Sequence, residues 1–162
     1  DHHHFLLQAR NIKWLVEGHE RASTLQEVVD ALLVFWETHG EPHLREEDTL
    51  LYPLYLHHAP NAKKSVDRLE RDHQWLRDKV SEIRDMPHYE NCDPILRSIW
   101  QYIEGHVRHE EQVVYEAIQT AFDDATLESF AAQSLIFRKQ HRTPDAIGPA
   151  KPMLLDDDIE SA

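Results

Sequence analysis

Two segments of this chain, His43-Leu44-Arg45-Glu46-Glu47 and His106-Val107-Arg108-His109-Glu110-Glu111, repeat a His-x-x-x-Glu spacing about sixty residues apart. In an α-helix, positions i and i+4 share a face about 6 Å apart along the axis, so an imidazole and a carboxylate there reach a common ion. Two such helices facing one another supply two nitrogens and two bridging carboxylates, the makings of a dinuclear metal site. A lone histidine precedes each motif in an amphipathic stretch. It is His73 for the second motif and one of the His2-His3-His4 run for the first.

One solvated His and Glu pair on a helix is ordinary surface chemistry, but two copies that continue apolar stripes are not. His43 and Glu47 fall between Val28, Leu32, Phe35 and the pair Leu50, Leu51, while His106 and Glu110 extend the stripe of Ile99 and Ile103. Both pairs therefore point inward. Burying two carboxylates and several imidazoles without partners costs several kcal/mol each, and a cation removes that cost. A buried, salt-bridged polar cluster is the alternative. For the first helix, His2 reproduces through Phe5, Ala9 and Ile12 the phase that His73 shows through Leu76, Val80 and Ile83, and each follows an Asp. His3 and His4 stay open as alternatives. His39 suits a structural or channel-lining role, with an outer contact to the ligands or a place as an alternate ligand as the other readings. Glu46, His109 and Glu111 lie one residue off the ligand phase and read as a solvated face, with hydrogen bonding to the ligands as the functional alternative. Tyr52, Tyr115, Trp36, Trp75 and Trp100 read as core packing around the site, or as a gate.

The elements that carry these residues are helical. Glycine is scarce, at four residues, and no segment alternates apolar and polar side chains. A first helix runs to about His19. Thr24-Leu25-Gln26-Glu27 has the form of a capping box opening a second, which reaches roughly His57 with a kink expected where Gly40 and Pro42 interrupt it. A third spans about 62 to 85 and stops at Met86-Pro87. Asp93-Pro94 reads as an N-cap and first-turn proline for a fourth helix, to about Phe122. A shorter fifth runs from Asp124 to near His141. Helices one and two resemble three and four as a weak repeat of hairpins, so the fold class is all-α: an antiparallel four-helix bundle over 1–141 with a C-terminal helix. Three prolines and the run Asp156-Asp157-Asp158-Ile159-Glu160 mark 142–162 as an extended or disordered tail.

Length suffices for one domain with its own core. The single Cys92 excludes an intramolecular disulfide framework, and a reducing cytoplasm is the expected compartment. No apolar run approaches a membrane span and no signal-peptide pattern is expected. A formal charge of -13 disfavours nucleic acid and anionic membranes as partners and suits cations.

As a set, Phe35-Trp36, the stretch from His43 to Pro53, Asp72-His73, and the stretch from His106 to Tyr115 resemble the hemerythrin-like, HHE cation-binding domains over about residues 1 to 141. The resemblance implies a non-heme diiron centre, two Fe ions with an oxo or hydroxo bridge, in which Glu47 and Glu110 bridge the metals and His2, His43, His73 and His106 are terminal ligands. Imidazole and carboxylate admit Fe, Mn or Zn, so iron rests on the resemblance. Such a centre leaves roughly one position per metal for an added ligand. Oxygen carriers of the family have a further histidine one turn after the third-helix ligand, where this chain has Arg77, which speaks against reversible carriage. The expected functions are binding or sensing of dioxygen or a related small ligand, decomposition of peroxide or reduction of nitric oxide by a diiron enzyme, and iron sensing through a protein partner.

Overall fold

In this computed structural model, residues 2–20 and 22–141 are described, and the tail expected over 142–162 lies outside them. The described residues form helices and turns without a strand. Helix α1 spans His2–Val16 and buries Phe5, Ala9, Ile12 and Val16 along one stripe. It stops earlier than the expected His19, because a turn follows in which Gly18 takes a positive φ of 70°. The expected capping box is present: Thr24 accepts from the Glu27 backbone at 3.3 Å, and the Glu27 carboxylate accepts from the Thr24 backbone at 2.9 Å. It opens a long second rod built from α2 (Leu25–Phe35), α3 (Glu41–Glu46) and α4 (Tyr52–His58). The third rod is α5 (Lys63–Arg84), and the fourth comprises α6 (Asp93–His109) and α7 (Tyr115–Ala121). At the start of α6 the cap is Cys92 and not Asp93, which is already helical and pairs with Arg97 at 2.9 Å.

The segments of rods two and four are joined by π-helical turns at Trp36–Gly40, Glu47–Leu51 and Glu110–Val114. In each, a backbone N–H reaches the carbonyl five residues back, from Glu41 to Trp36, Tyr52 to Glu47 and Tyr115 to Glu110. A π turn fits one extra residue into the turn and resets the helical phase. Where a kink before His43 is expected, the first of these turns carries the helix through Gly40 and Glu41 with right-handed helical dihedrals. Gly40 is buried there, and a Cβ on it would stand 2.9 Å from Trp36 Cε3.

The rods close a ring, with α1 on α2, α2 on α5, α5 on α6 and α6 back on α1. Two apolar clusters fill it. One joins α1, α2 and the halves of α5 and α6 nearest Ile83 and Leu96, while the other gathers Leu51, Tyr52, Tyr55, Val66, Leu69, Val114, Ile118 and Phe122. Rods two, three and four each switch from one cluster to the other at a candidate ligand: on α5, Val66 and Leu69 precede His73, and Leu76, Val80 and Ile83 follow it. A polar layer therefore crosses the bundle between two dry cores. Helix α8 (Asp124–His141) lies against α3 and the 47–51 turn, and its Leu127 and Phe130 pack on the second cluster. Its bounds, Asp124–His141, are those expected for the fifth helix. Among the described residues, no helix is long and apolar enough to cross a membrane.

Candidate metal centre

Each candidate ligand enters the polar layer from a defined place. His2 comes from the first turn of α1, His43 from α3, His73 from the middle of α5 and His106 from the last turn of α6. Glu47 and Glu110 open the two matching π turns. Together they form two groups. His2, His43, Glu47 and Glu110 have ligand atoms all within 4.8 Å of one another, and so do His73, His106 and Glu110. Glu110 belongs to both, and Glu47 Oε2 also stands 3.6 Å from His73 Nε2. All six side chains are buried or nearly so, with His73 and Glu110 the most enclosed. The alternatives for the first helix point elsewhere: His3 and His4 are exposed, and His4 stacks on His39 at 5.1 Å. His39 hydrogen-bonds Thr38 Oγ1 at 2.7 Å and belongs to neither group.

The outer contacts repeat across the bundle. Asp48, the residue after Glu47, accepts from His73 Nδ1 at 2.7 Å; Glu111, the residue after Glu110, accepts from His2 Nδ1 at 3.0 Å. An ionised carboxylate can only accept, so each ring carries its proton on Nδ1 and, when neutral, turns the Nε2 lone pair inward. The tyrosines cross over. Tyr52 Oη donates to Glu110 Oε1 at 2.6 Å, and Tyr115 Oη donates to Glu47 Oε1 at 2.7 Å. The sequence reads these tyrosines as core packing or a gate and does not single out Asp48. The signal that carries them is the repeated Glu-acid-x-x-x-Tyr, Glu47-Asp48 to Tyr52 and Glu110-Glu111 to Tyr115. Five residues put Glu and Tyr out of phase on an α-helix, and the π turn brings them back to one face.

Glu46 corrects the expectation of a solvated face. It is buried, accepts from Ser134 Oγ, and takes two further bonds from Arg138, at 2.7 and 3.2 Å. The cause is α8, which covers α3. Glu111 is half exposed, and its bond to His2 matches the hydrogen-bonding alternative. Arg77 faces Glu41 and Asp48, each at 2.8 Å.

Chemically, the cluster fits a cation. Glu47 Oε2 and Glu110 Oε2 are buried and have no hydrogen-bond partner. They look at imidazole Nε2 atoms: His2 and His106 at 3.2 and 3.3 Å from Glu110, His43 at 3.5 Å from Glu47. His73 Nε2 and His106 Nε2 lie 3.2 Å apart, two ring nitrogens facing one another. Burial, then the neighbouring charge of Glu110, pushes the Glu47 carboxyl well above the usual carboxylate range. Burial also opposes the Glu110 charge, but the His106 and His2 rings beside it and the Tyr52 hydroxyl outweigh burial and hold that group low. Burial lowers His43 to about 3. For His2, burial is outweighed by the neighbouring Glu110 and Glu111 carboxylates, which raise it. A proton or a cation beside the two carboxylates relieves their repulsion, and imidazoles with Nε2 turned inward suit a divalent metal. A cleft of about 20 Å³, room for one water-sized molecule, opens beside His43 and is lined by His39, Glu46, Phe137 and Arg138 among others.

The chain matches the hemerythrin HHE cation binding domain over residues 1–118. No curated protein and no solved structure matches it. A match across well over half of the 162 residues, on a helical bundle with its histidines and glutamates gathered in one buried layer, means that the chain belongs to the hemerythrin HHE cation-binding domain family.

Proposed function

We propose that this is a non-heme diiron protein that binds or senses dioxygen or a related small ligand, with His2, His43, Glu47, His73, His106 and Glu110 holding two Fe ions. The observation that carries it is the pair of unpartnered, buried carboxylate oxygens, Glu47 Oε2 and Glu110 Oε2, each facing the Nε2 atoms of two histidines. Bound iron would supply an electron-rich centre for a small oxidant or diatomic ligand. The chain's own part is to orient four imidazoles, hold both glutamates by one oxygen each, and keep the layer dry between two apolar cores. Tyr52 and Tyr115 stay protonated, since burial and the two carboxylates raise both hydroxyls far above their ordinary range, so they serve as donors. The narrow cleft beside His43 suits a ligand of two or three atoms. We place the protein in a reducing cytoplasm, in keeping with its one buried, free cysteine, and expect neither nucleic acid nor membrane as partner at a charge of -13.

Arg77 favours a second reading. Turned toward Glu41 and Asp48, it adds no fifth imidazole, so the metal of His73 and His106 has more room for an added ligand. That suits peroxide decomposition or nitric oxide reduction better than reversible carriage.

The test is elemental analysis of the purified chain beside Glu47→Ala and Glu110→Ala, with optical spectra before and after oxygen and peroxide. Two irons per chain are expected, with both lost or displaced in either variant because both glutamates bridge. Two metals kept in full by both variants would sink the bridging assignment, and the spectra separate a lasting ligand complex from turnover.

A further inference from the structure

Arg77 lies one turn after His73 on α5, and its guanidinium spans two carboxylates of the second rod. Nε donates to Glu41 Oε2 and Nη2 to Asp48 Oδ2, both at 2.8 Å. The other oxygen of Asp48 accepts from His73 Nδ1 at 2.7 Å. The chain of contacts thus runs from Glu41 through Arg77 and Asp48 to a fully buried imidazole. We propose that Arg77 is a positioning residue for metal binding. It clamps Asp48 so that this carboxylate fixes the ring plane and tautomer of His73 and presents Nε2 toward His106 and Glu110.

Three observations carry this. Asp48 is partly exposed, so without an anchor its carboxylate is free to rotate toward water. A planar guanidinium with parallel donors grips one oxygen of Asp48 and one of Glu41 at once, which a point-charge ammonium does less well. The opposite half of the bundle supplies an internal comparison: Glu111 performs the same service for His2, but with a carboxylate half open to solvent. His73 is therefore held by an outer pair bridging two rods, and the metal bound by His73 and His106 is the one that Arg77 controls.

The proposal rests on the diiron reading for the ion's identity, so its test includes a readout without metal. In metal-free protein labelled with ¹⁵N, the His73 ring is expected as the Nδ1–H tautomer. Arg77→Gln and Asp48→Ala should populate the Nε2–H form, and Arg77→Lys should recover part of the original signal. In the second measurement the full chain is loaded with Zn(II) and competed with a chelator. Arg77→Gln should weaken one of two sites by about 10–100-fold, the usual cost of losing an outer hydrogen bond to a metal-binding histidine, and leave the other unchanged. Glu111→Gln should weaken the other site instead. Wild-type tautomer and both Zn(II) affinities retained in Arg77→Gln would overturn the proposal, even with a lowered thermal midpoint, since a merely structural ion pair would do that alone. A wild-type chain that takes up no metal would end the diiron reading, and the tautomer measurement would then decide whether Arg77 positions His73.

Discussion

Each buried glutamate of the polar layer gives one oxygen to a tyrosine from the opposite motif and keeps the other toward histidines. That division decides what the tyrosines are worth. Tyr52 is fully buried, and Tyr52→Phe leaves Glu110 Oε1 without its donor. A hydrogen bond to a charged group contributes about 1.5–3 kcal/mol, so denaturant unfolding of the metal-free variant should show a loss of that order. Tyr115→Phe should behave alike through Glu47 Oε1, less severely because burial already favours the protonated, uncharged Glu47. Tyr52→Phe matching wild type would show that Glu110 draws its stabilisation from His2 and His106 alone. The candidate ligands were legible in the sequence, because a histidine or glutamate in an apolar stripe contradicts its surroundings. The tyrosines were not, since an aromatic residue there agrees with a core and its hydroxyl is invisible to periodicity.

At the scale of elements, most helices follow from caps and stripes that can be read directly, such as Thr24 with Glu27 and the six buried positions of α5. The π turns escape such reading, since they depend on how a helix must shift to satisfy its neighbours. Two start at the paired glutamates, and the third ends at Gly40 against Trp36. Gly40→Ala tests that third turn. Its Cβ would come within 2.9 Å of a buried indole that cannot swing away. Overpacking of this kind costs about 1–3 kcal/mol, well beyond the gain from a better helix former. A lowered thermal midpoint is expected, with His43 displaced and metal content reduced as a consequence. An unchanged or raised midpoint would mean that the π turn relaxes to an α-helix without harm. Glu46 carries the same lesson. Its burial is imposed by Ser134 and Arg138 of a helix about ninety residues later, and no local pattern announces it.

Across the whole molecule, two apolar clusters sandwich a layer of four imidazoles and two carboxylates. The division was foreshadowed where polar residues interrupt the apolar stripes, His73 on the third rod and a His and Glu pair on the second and fourth, whereas the role of α8 in covering α3 and the second cluster was not. A bundle built this way needs its layer neutralised. Metal that binds only the folded chain stabilises it by about 2.7 kcal/mol at a hundredfold excess over Kd, and for a domain of this size each kcal/mol moves the midpoint by roughly 2–4 °C. Chelation should therefore lower the thermal midpoint by roughly 5–10 °C, and reloading should restore it. Acid acts in the same direction. Binding needs neutral imidazoles and ionised carboxylates, so protons displace the metal as pH falls through the histidine range. His43, held neutral by burial down to about 3, takes up fewer protons than it does in the unfolded chain between there and the ordinary histidine range. Its contribution to stability is therefore complete above that range and declines as the pH drops through it. Calorimetry of loaded and chelated protein from neutral to mildly acidic pH should show the two midpoints converging as metal leaves. If the midpoints coincide at neutral pH as well, the layer is a self-sufficient polar cluster, and the two unpartnered carboxylate oxygens are satisfied by protons and not by a metal.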